Sequence, residues 1–140
     1  MKRIIMIAAT ILCMMMSLLG FTCSSNRDKS TSGGHKNLTA AEFNKFLSSK
    51  EAEGGLLLDV RTQAEYDGGH IPGSSLIPVD ELPGRIAEIE QYKNKPVMVY
   101  CRSGRRSMIA VGILKDNGFT DIINLDGGIN SWIQRGFPVE

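Results

Sequence analysis

Apolar residues along this chain fall in short unbroken runs, separated by stretches where they recur every three or four positions. The runs at 56–60, 76–79, 97–100 and 122–125 are too short for helices and are bounded by glycine, proline or charge, which predicts buried strands. The intervening patterns are helical. Thr39 and Glu42 form a capping box ahead of Phe43, Phe46 and Leu47, and Thr62 and Glu65 repeat the signal. Leu82, Ile86 and Ile89 share one face of residues 80–90, with Pro83 tolerable only in the first turn. Residues 107–117 run to the stop signal Asn117-Gly118, and a short helix carrying Trp132 follows Gly127 and Gly128. Short apolar strands alternating with helices predict an α/β fold whose parallel sheet is covered on both faces. In such sheets ligands bind at the carboxyl ends of the strands.

One apolar run stands outside this scheme. Residues 4–19 follow Lys2 and Arg3 and are somewhat short for a membrane span, the layout of a bacterial secretory signal. An uncleaved short anchor is the competing reading. The stretch ending at Cys23 also resembles a lipoprotein processing site, in which that cysteine is acylated, although Thr22 and Phe21 depart from the usual small residues. Residues 24–36 hold no apolar side chain and read as a flexible tether with a reach of roughly 20 Å. His35 belongs to that tether and has no metal-ligating companion at suitable spacing. The expected organisation is an export signal over 1–22, a linker over 23–36 and one folded domain over 37–140, placed in the periplasm or tethered to a membrane through lipidated Cys23.

Charge and cysteine count narrow the chemistry. The 140 residues carry 16 basic and 15 acidic side chains, a formal charge of +1, and loss of Lys2 and Arg3 with the signal would bring it to about −1. Nucleic-acid binding through a general basic surface is thereby disfavoured. Of three cysteines, Cys13 lies in the signal and Cys23 at its end, leaving Cys101 as the thiol of the folded part. An exported domain with one cysteine and no partner for a disulfide points to a reactive thiol.

The surroundings of Cys101 support that. It drops off the end of the run at 97–100 into the turn Cys101-Arg-Ser-Gly-Arg-Arg-Ser107, and the next helix starts there. Backbone N–H groups at a helix N-terminus and the guanidinium groups of Arg102, Arg105 and Arg106 all favour the thiolate over the thiol.

Taken together, Leu58-Asp-Val-Arg61, Glu65-Tyr66, Gly69-His-Ile-Pro-Gly73, the Cys101 turn, Leu125-Asp-Gly-Gly128, Trp132 and Gly136-Phe-Pro138 resemble, in order and spacing, the single-domain rhodaneses. The resemblance covers about residues 38–139. It implies a three-layer rhodanese-like fold with a mostly parallel sheet of about five short strands and helices on both faces. It also implies sulfur transfer without a cofactor or metal, by a single domain acting as a monomer. Cys101 would take a sulfane sulfur from thiosulfate or a polysulfide as a persulfide and pass it to cyanide or a thiol. Backbone N–H groups over 102–107 would cradle the charged sulfur, Gly104 would supply turn freedom, and Arg105 and Arg106 would attract the donor's anionic end. Arg102, Ser103 and Ser107 complete the expected binding loop, with Ser107 expected as the helix N-cap. The related cell-cycle-type phosphatases place an arginine where Ser107 stands, so this shorter loop suits sulfur better than a phosphoryl group. A persulfide carrier or binding module for a partner protein is the second function class.

Other polar residues have structural readings. Asp59 and Arg61 predict an ion pair tying a strand end to its loop, and His70 a turn histidine bonded to backbone. Arg102 is a candidate inward-facing pairing residue, and Tyr100 and Trp132 are candidate core.

Overall fold

The computed structural model describes residues 34–140. The export signal, the acylation of Cys23 and the tether up to residue 33 lie outside the described residues. Among the described residues, strands β1 (His35–Leu38), β2 (Leu56–Asp59), β3 (Ser75–Leu76), β4 (Pro96–Tyr100) and β5 (Asp121–Leu125) form one sheet in the order β1-β5-β4-β2-β3. Every pairing is parallel, which requires a crossover between consecutive strands. Helices α1 (Ala40–Leu47), α2 (Gln63–Asp67), α3 (Leu82–Arg85) and α4 (Arg105–Asp116) lie in those connections, with 3₁₀ turns at Lys50–Ala52 and Ile86–Tyr92, and α5 (Gly128–Gln134) follows β5.

The period of two along the strands divides the apolar side chains between two faces. Leu56, Leu58, Val97, Val99 and Ile122 pack on one side with Leu82 of α3 and Ala110, Val111 and Leu114 of α4. Leu57, Met98, Tyr100, Ile123 and Leu125 pack on the other with Phe43 of α1 and Ile129 and Trp132 of α5. Each fully buried Leu, Ile or Val contributes about 1.5–3 kcal/mol, so the central strands are held from both sides. Truncating fully buried Leu58 to Ala would cost about 2–5 kcal/mol. Trp132 packs edge-on against Phe43, at 6.3 Å between ring centroids, and its indole N–H donates to the Pro138 carbonyl at 2.8 Å.

Both predicted capping boxes form. Thr39 and Glu42 cap α1, and Thr62 and Glu65 cap α2, each with side chain and backbone satisfied reciprocally. Two elements differ from expectation. β1 begins at His35, inside the stretch read as tether, because its pairing to β5 uses backbone groups; Asn124 on β5 adds a side-chain bond to Asn37 Oδ1 at 2.9 Å. Residues 80–90 do not form one α-helix: α3, which buries Leu82, ends at Arg85, and the chain tightens into a 3₁₀ run that buries Ile89. Pro83 lacks an N–H and Gly84 is a poor helix former, so the α-helical ladder has little to propagate it.

Candidate active site

Cys101 stands one residue beyond β4, at the carboxyl end of a central strand, and is 1% exposed. Gly104 caps α4 in a left-handed conformation, φ 103°, open to glycine at little cost. That cap has no side chain to accept from the first turn, and the Ser107 N–H there favours the Cys101 sulfur instead, while the Gly104 N–H donates to Cys101 Sγ at 3.1 Å. Burial pushes the thiol up, but the Ser107 hydroxyl and the N–H groups of Ser107, Gly104 and Ser103 together outweigh it, and the net shift is downward. The thiolate is therefore stabilised chiefly by oriented hydrogen bonds.

Ser107 is not the helix N-cap. It is the third residue of α4, fully buried, and its hydroxyl donates to the Gly104 carbonyl at 2.9 Å. The same hydroxyl is also among the groups that favour the Cys101 thiolate.

The three arginines divide in two. Arg106 makes a bidentate pair with Glu65, both N–O distances being 2.7 Å. Hydrogen bonding from Arg106, reinforced by Thr62 and opposed by partial burial, holds the Glu65 carboxyl down at about 2. This pair ties α2 to the start of α4. Arg102 and Arg105 are exposed and make no ion pair among the described residues, so Arg102 is not the inward-facing residue that the sequence allows. Ser103 is exposed beside them.

The neighbouring strand end is closed. Asp59 accepts from Arg61 through both carboxylate oxygens, at 2.6–3.0 Å, and from the Arg61 backbone N–H at 2.9 Å; the guanidinium also donates to the Gly69 carbonyl at 2.9 Å. Arg61 lies 5.6 Å from the centre of the Tyr100 ring. Tyr100 is core by burial, yet its hydroxyl accepts the Ile71 N–H at 3.1 Å and bonds Ser74 at 2.9 Å. Burial pushes its phenol up, so it stays neutral. His70 is stacked on Tyr66 at 3.7 Å and bonds the Tyr66 carbonyl through Nδ1 at 3.1 Å, a histidine placed by its turn.

The partners of Arg106 and Tyr100 were not foreseen from sequence. The sequence marks Glu65 as a cap and as part of the Glu65-Tyr66 motif, and Tyr100 as core at the end of an apolar run, but gives neither its partner. Among the described residues, no three His, Cys, Asp or Glu side chains converge as a metal-holding group.

A thiolate cradled by backbone N–H groups at the carboxyl end of a parallel sheet defines a class of cysteine-dependent group-transfer site. The family model for the rhodanese-like domain matches residues 39–135, and the chain belongs to that family. A protein named sulfurtransferase from Allochromatium vinosum is 40% identical over 89 residues, spanning 64% of this chain and 81% of that one. A tRNA uridine(34) hydroxylase from Cronobacter sakazakii is 32% identical over 110 residues, covering 73% of this chain but 31% of the hydroxylase. Among solved structures, a rhodanese-related protein from Thermoplasma volcanium shares 33% identity with a TM-score of 0.65, covering 75% of this chain and 97% of that chain.

Proposed function

We propose that this protein is an exported sulfurtransferase that carries a sulfane sulfur on Cys101. The observation that carries the reading is the sulfur itself, bonded by the Gly104 N–H at 3.1 Å and supported by Ser107. The thiolate attacks the outer sulfur of thiosulfate; the new bond joins the two sulfurs, and the donor's S–S bond breaks with its electron pair leaving on sulfite. The enzyme retains a persulfide anion, which the same N–H groups hold as they held the thiolate. Cyanide then attacks the terminal sulfur, leaves as thiocyanate and returns the thiolate, while a thiol acceptor would leave as its own persulfide. Covalent storage gives ping-pong kinetics.

Burial of the thiol selects donors whose reacting atom is terminal and unbranched, as in thiosulfate or a polysulfide. With Arg106 held by Glu65, the cations available to a donor's sulfonate are Arg102 and Arg105. The basic, apolar start of the chain supports export, with Cys23 as the lipid anchor.

Incubation with thiosulfate followed by intact mass tests the reading. One added sulfur atom on wild type and none on Cys101→Ala is expected, and an unmodified wild type would overturn it. Thiocyanate turnover with excess cyanide then separates an enzyme from a slow carrier. A diacylglyceryl mass on Cys23 in membrane fractions is the expected sign of anchoring, and an unacylated soluble product would remove that part.

A further inference from the structure

The loop after β5 reaches the Cys101 turn with its backbone. α5 starts at Gly128 without a side-chain cap, so its first N–H groups need acceptors from elsewhere. They find them in the reactive turn: the Ile129 N–H donates to the Cys101 carbonyl at 2.8 Å, and the Asn130 N–H to the Arg102 carbonyl at 3.1 Å. A trans peptide unit holds its C=O and N–H on opposite sides. Drawing the Arg102 carbonyl outward onto α5 therefore turns the Ser103 N–H the other way, and that N–H is one of the groups that favour the thiolate.

The approach is close enough to dictate residue type. A β-carbon on Gly128 would collide with the Cys101 carbonyl oxygen and stand 2.6 Å from the Arg102 carbonyl carbon, and the backbone there has φ +60°. Glycine avoids both penalties.

We propose that Gly128 and the backbone amides of Ile129 and Asn130 are positioning groups that fix the first two peptide units of the Cys101 turn, so that its N–H groups face the sulfur. This rests on Cys101 being the sulfur-carrying group. Their role is indirect, through the turn, and none of them touches the donor.

Alkylation of Cys101 by iodoacetamide across pH tests the clamp without requiring sulfur transfer, so failure of the clamp and failure of the sulfurtransferase reading are distinguishable. In Gly128→Ala, alkylation should need higher pH and sulfur uptake from thiosulfate should fall about a hundredfold. Asn130→Pro deletes one donor in the first turn of α5, whose N–H is bonded to the Arg102 carbonyl, and should give the same change at about tenfold. Thermal unfolding shows which variants are folded. A folded Asn130→Pro with the wild-type alkylation profile would overturn the proposal. Should neither variant fold, isotope-labelled wild type decides: the amide resonances of Ile129 and Asn130 should shift with the same midpoint as Cys101 ionisation, and amides that do not respond would refute the clamp.

Discussion

Strands β2 and β4 lie side by side with Asp59 opposite Tyr100, and each runs into a loop rich in polar groups. At the end of β2 nearly every donor has an internal acceptor: Asp59 holds Arg61, Arg61 reaches the Gly69 carbonyl, and the Tyr100 hydroxyl ties down Ile71 and Ser74. At the end of β4 the N–H groups converge on one polarizable atom, and Arg102 and Arg105 remain exposed. Both places carry charged side chains, but their availability differs. A guanidinium already bonded to a buried carboxylate fixes a loop, whereas N–H groups aimed at a thiol bind whatever charge arrives there. Arg106 lies between these cases: it belongs to the reactive turn by sequence and to the structural class by its pairing with Glu65.

The largest effect separates the two ends outright. Cys101→Ser should abolish persulfide formation, read by intact mass after thiosulfate, while urea unfolding stays near wild type because a hydroxyl fits the same site. Residual sulfur loading would show that the converging N–H groups serve another purpose. The reverse experiment is Asp59→Ala, which leaves Arg61, 5% exposed, without its partner. A cost of about 3–5 kcal/mol is expected in urea unfolding. The folded fraction should keep a reactive Cys101, and selective loss of thiol reactivity without loss of stability would break the division between the two ends.

Sequence reveals the reactive end more readily than the structural one, for physical reasons. The alternation of apolar runs and helical patterns is local, and so are the capping boxes at Thr39 and Thr62 and the turn from Cys101 to Ser107. What sequence hides is contact between distant segments: Glu65 and Arg106 are 41 residues apart, and Tyr100 meets Ile71 across 29. β1 escapes because its strand rests on backbone pairing, which leaves no side-chain period to read at His35 and Lys36. Ser107 is misplaced as a cap because the helix starts earlier, at a glycine whose missing side chain the sulfur replaces.

Ser107→Ala sharpens the comparison within the reactive end. It removes the hydroxyl that donates to the Gly104 carbonyl and favours the thiolate, while retaining the N–H groups. Sulfur uptake should slow about tenfold, and iodoacetamide alkylation should need higher pH. An unchanged alkylation profile would assign the hydroxyl to the carbonyl alone.

The smallest effect concerns the intermediate case. Arg106 holds the Glu65 carboxyl down to about 2 from an ordinary 4.5. A depressed carboxyl stabilises the fold above its unfolded value, and that contribution is lost as pH falls toward the folded one. Wild-type stability should therefore decline between about pH 5 and pH 2, in part through this pair. Because the side chains of Glu65 and Arg106 are 25% and 27% exposed, solvent screening limits the contribution to about 1 kcal/mol. Glu65→Gln keeps a hydrogen-bonding shape but removes the charge, so its unfolding free energy should fall less steeply over that range. Parallel acid profiles would show that the pair adds no net charge stabilisation. A Glu65→Gln chain that also binds thiosulfate more tightly would show that the carboxylate withholds Arg106 from the donor, moving that arginine from the structural end to the reactive one.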